Sequence, residues 1–406
     1  MTKKLFTQIR NEWKSNLWLL AELLVVSVVL WYVIDNLYCK YAIRSEPLGF
    51  DIEHCYKIEL SETEEDETAP KHDEEENNDA EEILERLRRM PETDAICFSD
   101  WTAPYDLQQS FHNINYNTLG ENIRSYRVSP EYVHVFRIEG TRGETPEEMA
   151  QILKRGDIIL SENVFEDKGL DISTLIHKDG FYLYGNKDYT VNLGAVAKTV
   201  RYHDYVQGRY SKSIFIPKKD MSNTLYLRVK ADKDNDFIEN MFKKAEKGIN
   251  VGNTYISNVC NMNDMKRVYL QEYNKNNMMY LAGMGFLLLN IFLGLLGTFW
   301  FRTQQRQNEI ALHKVNGATK KDVFIRLICE GLLLTALVTL PALIIDFQIA
   351  NAELNAVYNG TTMNFGRILL CAGLSAISIC IMMIIGIGIP AFKALSIEPA
   401  QVLHGK

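Results

Sequence analysis

The chain has 406 residues, of which 47% are hydrophobic and 24% are charged, and its formal net charge at pH 7 is −8. Nucleic-acid-binding proteins present basic surfaces, so this acidic balance argues against that class. The length is sufficient for a membrane region and one sizeable additional domain. Apolar residues are concentrated in a few long runs, and acidic residues are concentrated between them.

Four apolar segments are each long enough to cross a bilayer. A hydrocarbon core of about 30 Å is spanned by about 20 helical residues. The segments comprise residues 17–38, 278–301, 323–350 and 368–390. The first segment follows basic residues, as a secretory signal peptide does, but its apolar run is longer and no small-residue cleavage site follows it. We therefore predict a membrane α-helical protein with four transmembrane helices, the first of which is retained.

Lysine and arginine residues predict the orientation of these helices, because cytoplasmic loops carry an excess of them. The N-terminal segment 1–16 and the segment 302–322 are basic, and the tail 391–406 carries two lysines. The loop 351–367 has one basic residue, at its border with the fourth helix. We therefore predict that both termini and the segment 302–322 are cytoplasmic. Residues 39–277 would be periplasmic, in a protein of the bacterial inner (plasma) membrane.

The long segment 39–277, inserted between transmembrane helices 1 and 2, predicts a large α+β domain. Short runs of β-branched and aromatic residues predict strands, and amphipathic runs between them predict helices. The predicted strands are 56–60, 158–160, 181–184, 189–193, 214–216 and 224–229, and the predicted helices are 80–90, 146–154 and 237–247. The acidic segment 61–82 cannot bury a core, so we predict a solvated, mobile loop there.

No pattern typical of catalysis or metal binding occurs in the sequence. The histidines are isolated, and the acidic segment lacks the residue order of a calcium-binding EF-hand loop. We therefore predict no catalytic residue, no directly bound cofactor and no metal site. The seven cysteines form no CxxC pair, and their spacing leaves both free thiols and disulfides open. The undecided positions are Cys39, Cys55, Cys97 and Cys260, for which free thiols are favoured.

Ionisable residues inside membrane spans are costly, and many of them are functional. Glu330 lies about two turns into the third span, and Arg326 precedes it by four residues. The two side chains therefore share a helix face and can pair. A coupling role for Glu330 and a simple pair near the membrane surface are both open. Glu22, Asp35 and Asp346 lie close to span ends, where we predict interfacial solvation.

Glycines recur in the second and fourth spans and predict close packing of helices there. They are Gly283, Gly285, Gly294, Gly297, Gly373, Gly386 and Gly388. Their spacing does not identify which helices meet.

The segment 302–322 is predicted to form a cytoplasmic helix, a tight turn and the start of the third span. Charged side chains recur at helical spacing on one face, at Arg302, Arg306, Glu309 and His313. Gly317 stands where such a helix ends in the left-handed conformation. Thr319 and Asp322 match a capping box at the start of the next helix. The helix would present a charged face to the cytoplasm; a plain connector, with charges that serve only topology, is the alternative.

The pattern RxxEIALxKxxGAT, which begins at Arg306, resembles the signature of FtsX-like permeases, the membrane subunits of ABC transporters. The closing Pro-Ala pairs and leucine of residues 390–403 resemble the end of the same family. Residues 136–169 resemble the periplasmic core of MacB-type transporters, although Thr141–Gly143 departs from the usual pattern. The resemblance is strongest for residues 278–406.

The resemblance implies a permease subunit that transmits ATP-driven conformational change to its periplasmic domain, for export or release of a peptide, lipoprotein or drug-like cargo. It implies that Arg306, Glu309 and Lys314 contact the ATPase, and that Gly317 and Ala318 shape the following turn. The chain has no GxxxxGK[ST] loop that precedes a helix, so ATP hydrolysis is expected on a separate subunit. This chain is therefore not expected to be an enzyme.

The partners implied by the resemblance are a cytoplasmic ABC ATPase dimer, a second copy of the permease or a paralogue, and membrane lipid. An export pathway would add a periplasmic adaptor and an outer-membrane channel. No nucleic-acid partner is expected. The cargo, the direction of transport and the choice between a homodimer and a heterodimer stay open.

Two other functions are alternatives to transport. An FtsX-type regulator of cell-wall hydrolases shares the layout, but its external domain is usually smaller than residues 39–277. A membrane sensor without transport activity would need a cytoplasmic signalling domain, and the predicted cytoplasmic parts are too short for one. A membrane enzyme would need convergent nucleophile, base or metal-ligand residues, and none is apparent.

Overall fold

The computed structural model describes residues 13–63, 73–100, 102–305, 312, 315, 317–352, 354–355 and 364–396. The chain divides into two compact units. The membrane unit consists of Met1–Ala42 and Lys275–Lys406, and the inserted unit is Ile43–Asn274. The predicted fold class is confirmed, because four apolar helices are present and a large domain of helices and sheets lies between the first and the second of them in the chain.

The helices and strands of the described residues have the following bounds. The helices are α1 (Trp13–Ser45), α2 (Asp73–Arg88), α3 (Tyr132–Val135), α4 (Pro146–Lys154), α5 (Phe237–Lys244), α6 (Met262–Tyr269), α7 (Gln271–Gln305), α8 (Lys320–Asn351) and α9 (Phe365–Ser396). The strands are β1 (Cys55–Glu62), β2 (Thr93–Phe98), β3 (Phe111–Tyr116), β4 (Leu119–Val128), β5 (Ile158–Ser161), β6 (Phe181–Leu183), β7 (Leu193–Ala197), β8 (Ser213–Pro217), β9 (Thr224–Val229) and β10 (Thr254–Asn261).

The membrane unit contains α1, α7, α8 and α9, which are all long and apolar enough to cross a membrane. Buried residues of α8 recur every four positions, at Leu334, Val338, Ala342 and Asp346. This spacing places them on one stripe of the helix. The stripe packs with α1 and α9 in a core that includes Leu23. The helices therefore associate through a narrow face of each.

The rest of the surface of these helices is apolar and exposed. Leu340 of α8 is 71% exposed, and Phe286 of α7 is 69% exposed. Water would disfavour so much contiguous apolar surface, whereas lipid chains or another apolar surface would cover it. The exposed faces are therefore those expected of a helix bundle in a bilayer.

The inserted unit contains two sheets. The four-stranded sheet has the order β10-β1-β9-β2 and is antiparallel throughout. The six-stranded sheet has the order β6-β3-β4-β8-β5-β7 and is mixed, because β4 pairs with β8, and β5 with β7, in parallel. Helices α2 and α5 cover the four-stranded sheet and share its core. Helices α3 and α4 lie in a second core with residues of both sheets, including Tyr126, Phe215 and Tyr226.

Several predicted elements of the inserted unit are confirmed. Helix α4 has the predicted bounds, and Thr145 caps it by accepting a hydrogen bond from the Glu148 backbone N–H. Strand β9 also has the predicted bounds. The strand predicted at 189–193 is confirmed only in part, because Thr190 forms an isolated antiparallel bridge with Tyr182 of β6 and the regular strand β7 begins at Leu193. Residues before it form a turn in which the Asn186 side chain accepts a hydrogen bond from the backbone N–H of Asp188, at 3.0 Å.

The acidic segment 61–82 is not a loop over its whole length. Its first two residues belong to β1, and its last ten, from Asp73, belong to α2. Helix α2 forms because Ala80, Ile83 and Leu87 lie on one face and are buried in the core of the four-stranded sheet. Residues 64–72 lie outside the described residues.

Candidate functional site

The predicted coupling segment is described only in part. Helix α7 continues beyond the apolar run to Gln305. Arg306, Glu309 and Lys314, the residues expected to contact an ATPase, lie outside the described residues, as does most of the predicted cytoplasmic helix. Their role stays a prediction.

Gly317 and Ala318 form the turn that precedes α8. The φ angle of Gly317 is +91°, and an added Cβ would meet no atom within 4 Å. The glycine is therefore required by the left-handed backbone and not by lack of space. The capping box predicted next is confirmed. The Thr319 hydroxyl accepts from the Asp322 N–H at 3.2 Å, and the Asp322 carboxylate accepts from the Thr319 N–H at 3.0 Å.

Glu330 lies on the buried stripe of α8 and is 6% exposed, so it faces the interior of the bundle and not the lipid. The adjacent Gly331 is in close contact with α9. A Cβ at Gly331 would lie 2.3 Å from Ile387 Cδ1 and 2.8 Å from Met383 Cε. The pairing of Arg326 with Glu330 stays a prediction.

The glycine prediction is confirmed only in part. A Cβ at Gly294 would lie 3.6 Å from Glu22 Oε1 and one at Gly388 would lie 3.8 Å from Phe324 Cζ, but the tightest contact is at Gly331 of α8, which the sequence did not single out. Among the predicted glycines, Gly283, Gly285 and Gly297 of α7 have no heavy atom within 4 Å of a built Cβ. The same holds for Gly373 of α9. Glycine frequency alone therefore did not identify the helix pair that packs most closely.

A buried polar network joins α1 to α9. Arg367 donates from Nε to Asp35 Oδ1 and from Nη2 to Asp35 Oδ2, both at 2.6 Å. Asn355 donates to Asp35 Oδ2 at 3.0 Å and receives a hydrogen bond from Asn36 at 3.2 Å. Asp35 is 1% exposed and Arg367 is 2% exposed. The arrangement is a bidentate ion pair, the strong form of guanidinium–carboxylate contact.

Burial corrects the predicted interfacial solvation of Asp35, which lies in this ion pair, and of Asp346, which is only 2% exposed. Glu22 is half-buried and accepts a hydrogen bond from Thr298 at 3.1 Å, so its interfacial solvation stays a prediction. The sequence offered one signal for this ion pair, which was Asp35 near the end of the first span and Arg367 at the start of the fourth. Nothing in the spacing showed that those two helix ends are adjacent.

A second cluster lies in the inserted unit, where α6 and the start of α7 meet the loop 202–205. The Tyr205 ring stacks on Tyr273 with centroids 5.6 Å apart, and its hydroxyl donates to Asn274 Oδ1 at 2.6 Å. His203 is 3% exposed and contacts the rings of Tyr269 and Tyr273, at 5.5 and 5.0 Å. These contacts therefore hold the first turn of α7, at Tyr273 and Asn274, against the loop 202–205 of the inserted unit.

Charged groups complete this aromatic cluster. Burial opposes ionisation of Asp204, but hydrogen bonds from Lys266 and Tyr105 outweigh it and lower the pKa of Asp204. The distances to Asp204 are 2.9 Å for Lys266 Nζ and 2.8 Å for the Tyr105 hydroxyl. Burial, assisted by the Arg124 charge, lowers the pKa of His203 to about 4. His203 is therefore neutral at physiological pH, and the cluster carries an ion pair between Asp204 and Lys266.

Metal binding and cysteine chemistry were the other candidates for a site. Within them, no group of three or more His, Cys, Asp and Glu side chains is placed to hold a metal ion. None of the seven cysteines, all of which are described, forms a disulfide. Cys55 is buried, and burial raises the pKa of its thiol to about 12, which keeps it protonated and unreactive.

Comparison with known proteins gave a match to one family model and matches to solved structures. Residues 281–399 match the family model described as FtsX-like permease C-terminal. No curated protein matches the chain. The extracellular domain of the noncanonical ABC-type transporter YknZ from Gram-positive bacteria is 14% identical, with a TM-score of 0.31 over 50% of this chain and 100% of that domain. The periplasmic region of MacB from Actinobacillus actinomycetemcomitans is 9% identical, with a TM-score of 0.34 over 56% of this chain and 97% of that region.

The family match covers most of α7, all of α8 and α9, the turn at Gly317, and the segment that begins at Arg306. It thus includes the RxxEIALxKxxGAT pattern, the first of the sequence features that resemble this family, but not residues 136–169. The match confirms the predicted similarity of this membrane region to the FtsX-like permeases.

Proposed function

We propose that this chain is the permease subunit of an ABC-type transporter, which passes ATP-driven conformational change from a separate ATPase to a periplasmic domain. The observation that carries the proposal is the family match over residues 281–399. ATP would act through the partner subunit, and this chain would bind no cofactor itself. The cargo class would be a peptide, a lipoprotein or a drug-like molecule.

In this proposal the protein resides in the bacterial inner membrane, with both termini and the segment 302–322 in the cytoplasm. The basic residues of these segments support that orientation. The inserted unit would be periplasmic. The assembly would contain an ATPase dimer and a second permease, identical or paralogous, with an adaptor and an outer-membrane channel if the pathway is export.

The proposed motion begins where Arg306, Glu309 and Lys314 contact the ATPase. Displacement of this segment would reach α8 through the turn at Gly317, because the capping box ties the turn to the first residues of α8. Close packing at Gly331 would pass the displacement from α8 to α9. The buried Asp35–Arg367 ion pair would then pass it from α9 to α1.

The test uses the full chain, reconstituted in lipid nanodiscs with the ATPase that is purified with it from the native membrane. We expect the permease to stimulate ATP hydrolysis and Glu309→Lys to abolish most of the stimulation, because it reverses a charge on the contact face. Glu147→Lys makes the same charge change on an exposed residue of α4 in the inserted unit and should leave stimulation unchanged.

Two outcomes would contradict the proposal. One is the absence of any P-loop ATPase in the purified complex, which would favour a sensor or structural role. The other is full stimulation by the Glu309→Lys variant, which would remove the coupling segment from the mechanism.

A further inference from the structure

Helices α1 and α7 both continue from the membrane unit into the inserted unit. The inserted unit begins at Ile43, and α1 ends at Ser45. The inserted unit ends at Asn274, which lies in the first turn of α7. The chain therefore passes between the units at the end of α1 and at the beginning of α7. The contacts that hold these two helix ends are those through which the inserted unit can respond to the membrane helices.

The loop 201–208 holds the chain where it leaves α1. Glu46 is the residue directly after this helix, and its carbonyl accepts a hydrogen bond from Arg201 Nη1 at 2.7 Å. The Glu46 carboxylate accepts from the Gly208 N–H at 3.1 Å. The Arg201 N–H donates to the Leu48 carbonyl at 2.8 Å. Arg201 is only 1% exposed, so its contact with Glu46 is shielded from water.

A close approach of two backbone segments adds to this attachment. Gly49 has a φ angle of +77°, and a Cβ there would lie 2.1 Å from the carbonyl oxygen of Thr199. No side chain fits at that distance, so glycine is required by both the backbone conformation and the space. The segment that follows α1 thus lies directly against the residues that lead into the loop 201–208.

The same loop also holds the first turn of α7. Tyr205 contacts this turn through its stacking on Tyr273 and its hydrogen bond to Asn274. His203 Nδ1 accepts from the Tyr205 N–H at 3.0 Å, and the His203 ring contacts Tyr273 as well. The backbone of Tyr205 is therefore fixed by a buried side chain of its own loop, while its ring binds the helix.

The guanidinium of Arg201 joins the two attachments. Its Nε donates to the carbonyl of Val206, and its Nη2 donates to the carbonyl of Asp204, both at 2.6 Å. These two carbonyls flank Tyr205, which binds α7. The third contact, to the Glu46 carbonyl, reaches the end of α1. One rigid, planar group thus contacts the residue after α1 and the backbone on both sides of the residue that binds α7.

The loop is attached in addition to the six-stranded sheet, through the two residues that follow the third of its residues Ser161. Asn163 donates from Nδ2 to the Gly208 carbonyl at 2.7 Å. Glu162 accepts hydrogen bonds from the N–H and the hydroxyl of Thr199, at 3.0 and 3.1 Å. Both residues come directly after β5, which ends at Ser161. The loop therefore connects both helix ends to one edge of strand β5.

We propose that the loop 201–208 is the joint through which α1 and α7 act together on the inserted unit, with Arg201 and Tyr205 as its positioning residues. Displacement of either helix end passes through the Arg201 guanidinium to the other end, and through Asn163 to the six-stranded sheet. This role rests on the proposed function, since ATP-driven displacement of the helices supplies the motion. The coupling of the two helix ends is a property of this chain alone and is measured without the ATPase.

The experiment is amide hydrogen exchange of the full chain in lipid nanodiscs, followed by mass spectrometry, because exchange reports local opening at each segment. Tyr205→Ala removes the ring and the hydroxyl that bind α7. We expect it to raise exchange at residues 271–276 and also at residues 46–51, by about threefold or more. Glu46→Ala acts on the α1 side, and we expect it to raise exchange at residues 271–276 by a similar factor.

Two further variants separate coupling from general loosening of the fold. Tyr205→Phe keeps the stacking on Tyr273 and loses only the hydrogen bond to Asn274, so its effect at residues 46–51 should be smaller than that of Tyr205→Ala. Arg267→Ala removes an exposed ion pair with Asp264 in α6 and should leave residues 46–51 unchanged. Effects confined to the mutated side in both Tyr205→Ala and Glu46→Ala would overturn the proposal.

Repeating the exchange with the ATPase present distinguishes this proposal from the proposed function. In the wild type we expect ATP to change exchange at residues 46–51 and 271–276 together. Coupling in the chain alone with no response to ATP would support the joint and contradict the proposed function. A response to ATP without coupling between the two helix ends would support the proposed function and overturn the joint.

Discussion

The inserted unit buries most of its large apolar residues, whereas the membrane unit exposes many of them. In the inserted unit Phe136, Phe181 and Phe215 are fully buried. In the membrane unit Leu340 and Ile344 are 71% and 66% exposed, while Asp35, Glu330 and Arg367 are buried beside apolar residues such as Leu23. The difference follows from the solvent, because lipid accepts apolar surface that water rejects. Polar side chains are costly inside a membrane bundle, so the buried ones identify the helix contacts that are candidates for a structural or functional role.

The units also differ in how they hold a buried arginine. Arg228 of the inserted unit is held mainly by carbonyl oxygens, whereas Arg367 of the membrane unit is held by the carboxylate of Asp35. Carbonyl groups of α-helices are already used by the helix ladder, so a helical bundle has few to offer a buried guanidinium. A carboxylate from a neighbouring helix supplies the acceptors instead and ties the two helices together.

The strongest test of this difference is Asp35→Ala. It leaves Arg367 buried without its carboxylate, and we expect a loss of about 3–5 kcal/mol in stability. The matched comparison is Arg267→Ala in α6, which removes an exposed ion pair to Asp264 and should cost less than about 1 kcal/mol. The measurement is the free energy of unfolding of the full chain in mixed micelles. Equal losses in the two variants would show that burial of the Asp35–Arg367 pair has no energetic consequence.

The aromatic cluster of the inserted unit predicts a pH dependence. The pKa of His203 is lowered from 6.5 to about 4 in the folded protein. Between these values the unfolded state binds the proton and the folded state does not, so stability is complete above pH 6.5 and falls as the pH decreases. The full loss corresponds to about 3 kcal/mol. Arg124 and Arg201 favour neutral His203, and Asp204 opposes them.

The pH dependence is measured as the unfolding midpoint of the full chain between pH 4.5 and 7.5. His203→Phe retains ring contacts with the tyrosines and should flatten the curve. His177→Asn changes an exposed histidine whose φ angle is +60°, which asparagine tolerates. That control should keep the wild-type slope, and an unchanged slope in His203→Phe would contradict the assignment.

The smallest expected effect concerns helix packing in the membrane unit. Gly331→Ala places a methyl group against Ile387 and Met383 of α9, and we expect a destabilisation of about 1–2 kcal/mol. Gly283→Ala on α7 meets no atom within 4 Å and should be neutral or slightly stabilising. Thermal unfolding of both variants in the same detergent provides the measurement. A larger effect at Gly283 would mean that α7 packs closely against a partner through that face.

Much of the local structure could be predicted because it depends on short-range physics. The capping box was predicted because Thr319 and Asp322 are three positions apart, which is the spacing of that motif. The turn at Gly317 was predicted because glycine is the residue that adopts positive φ angles freely. The strand predicted at 189–193 was only partly right, because Thr190 pairs with Tyr182 in a short bridge after the turn at Asn186, while the regular strand begins at Leu193 beside β5, a partner distant in the sequence.

The sequence by itself determined the four apolar helices, the inserted domain and the similarity to FtsX-like permeases, since length, hydropathy and a contiguous motif are properties of the chain. Only the tertiary structure decided that Asp35 meets Arg367, that Gly331 meets Ile387, and that His203 contacts Tyr269 and Tyr273. These contacts join residues far apart in the chain. Their pairing depends on which helix ends and strand registers the whole fold brings together, and no local pattern encodes that choice.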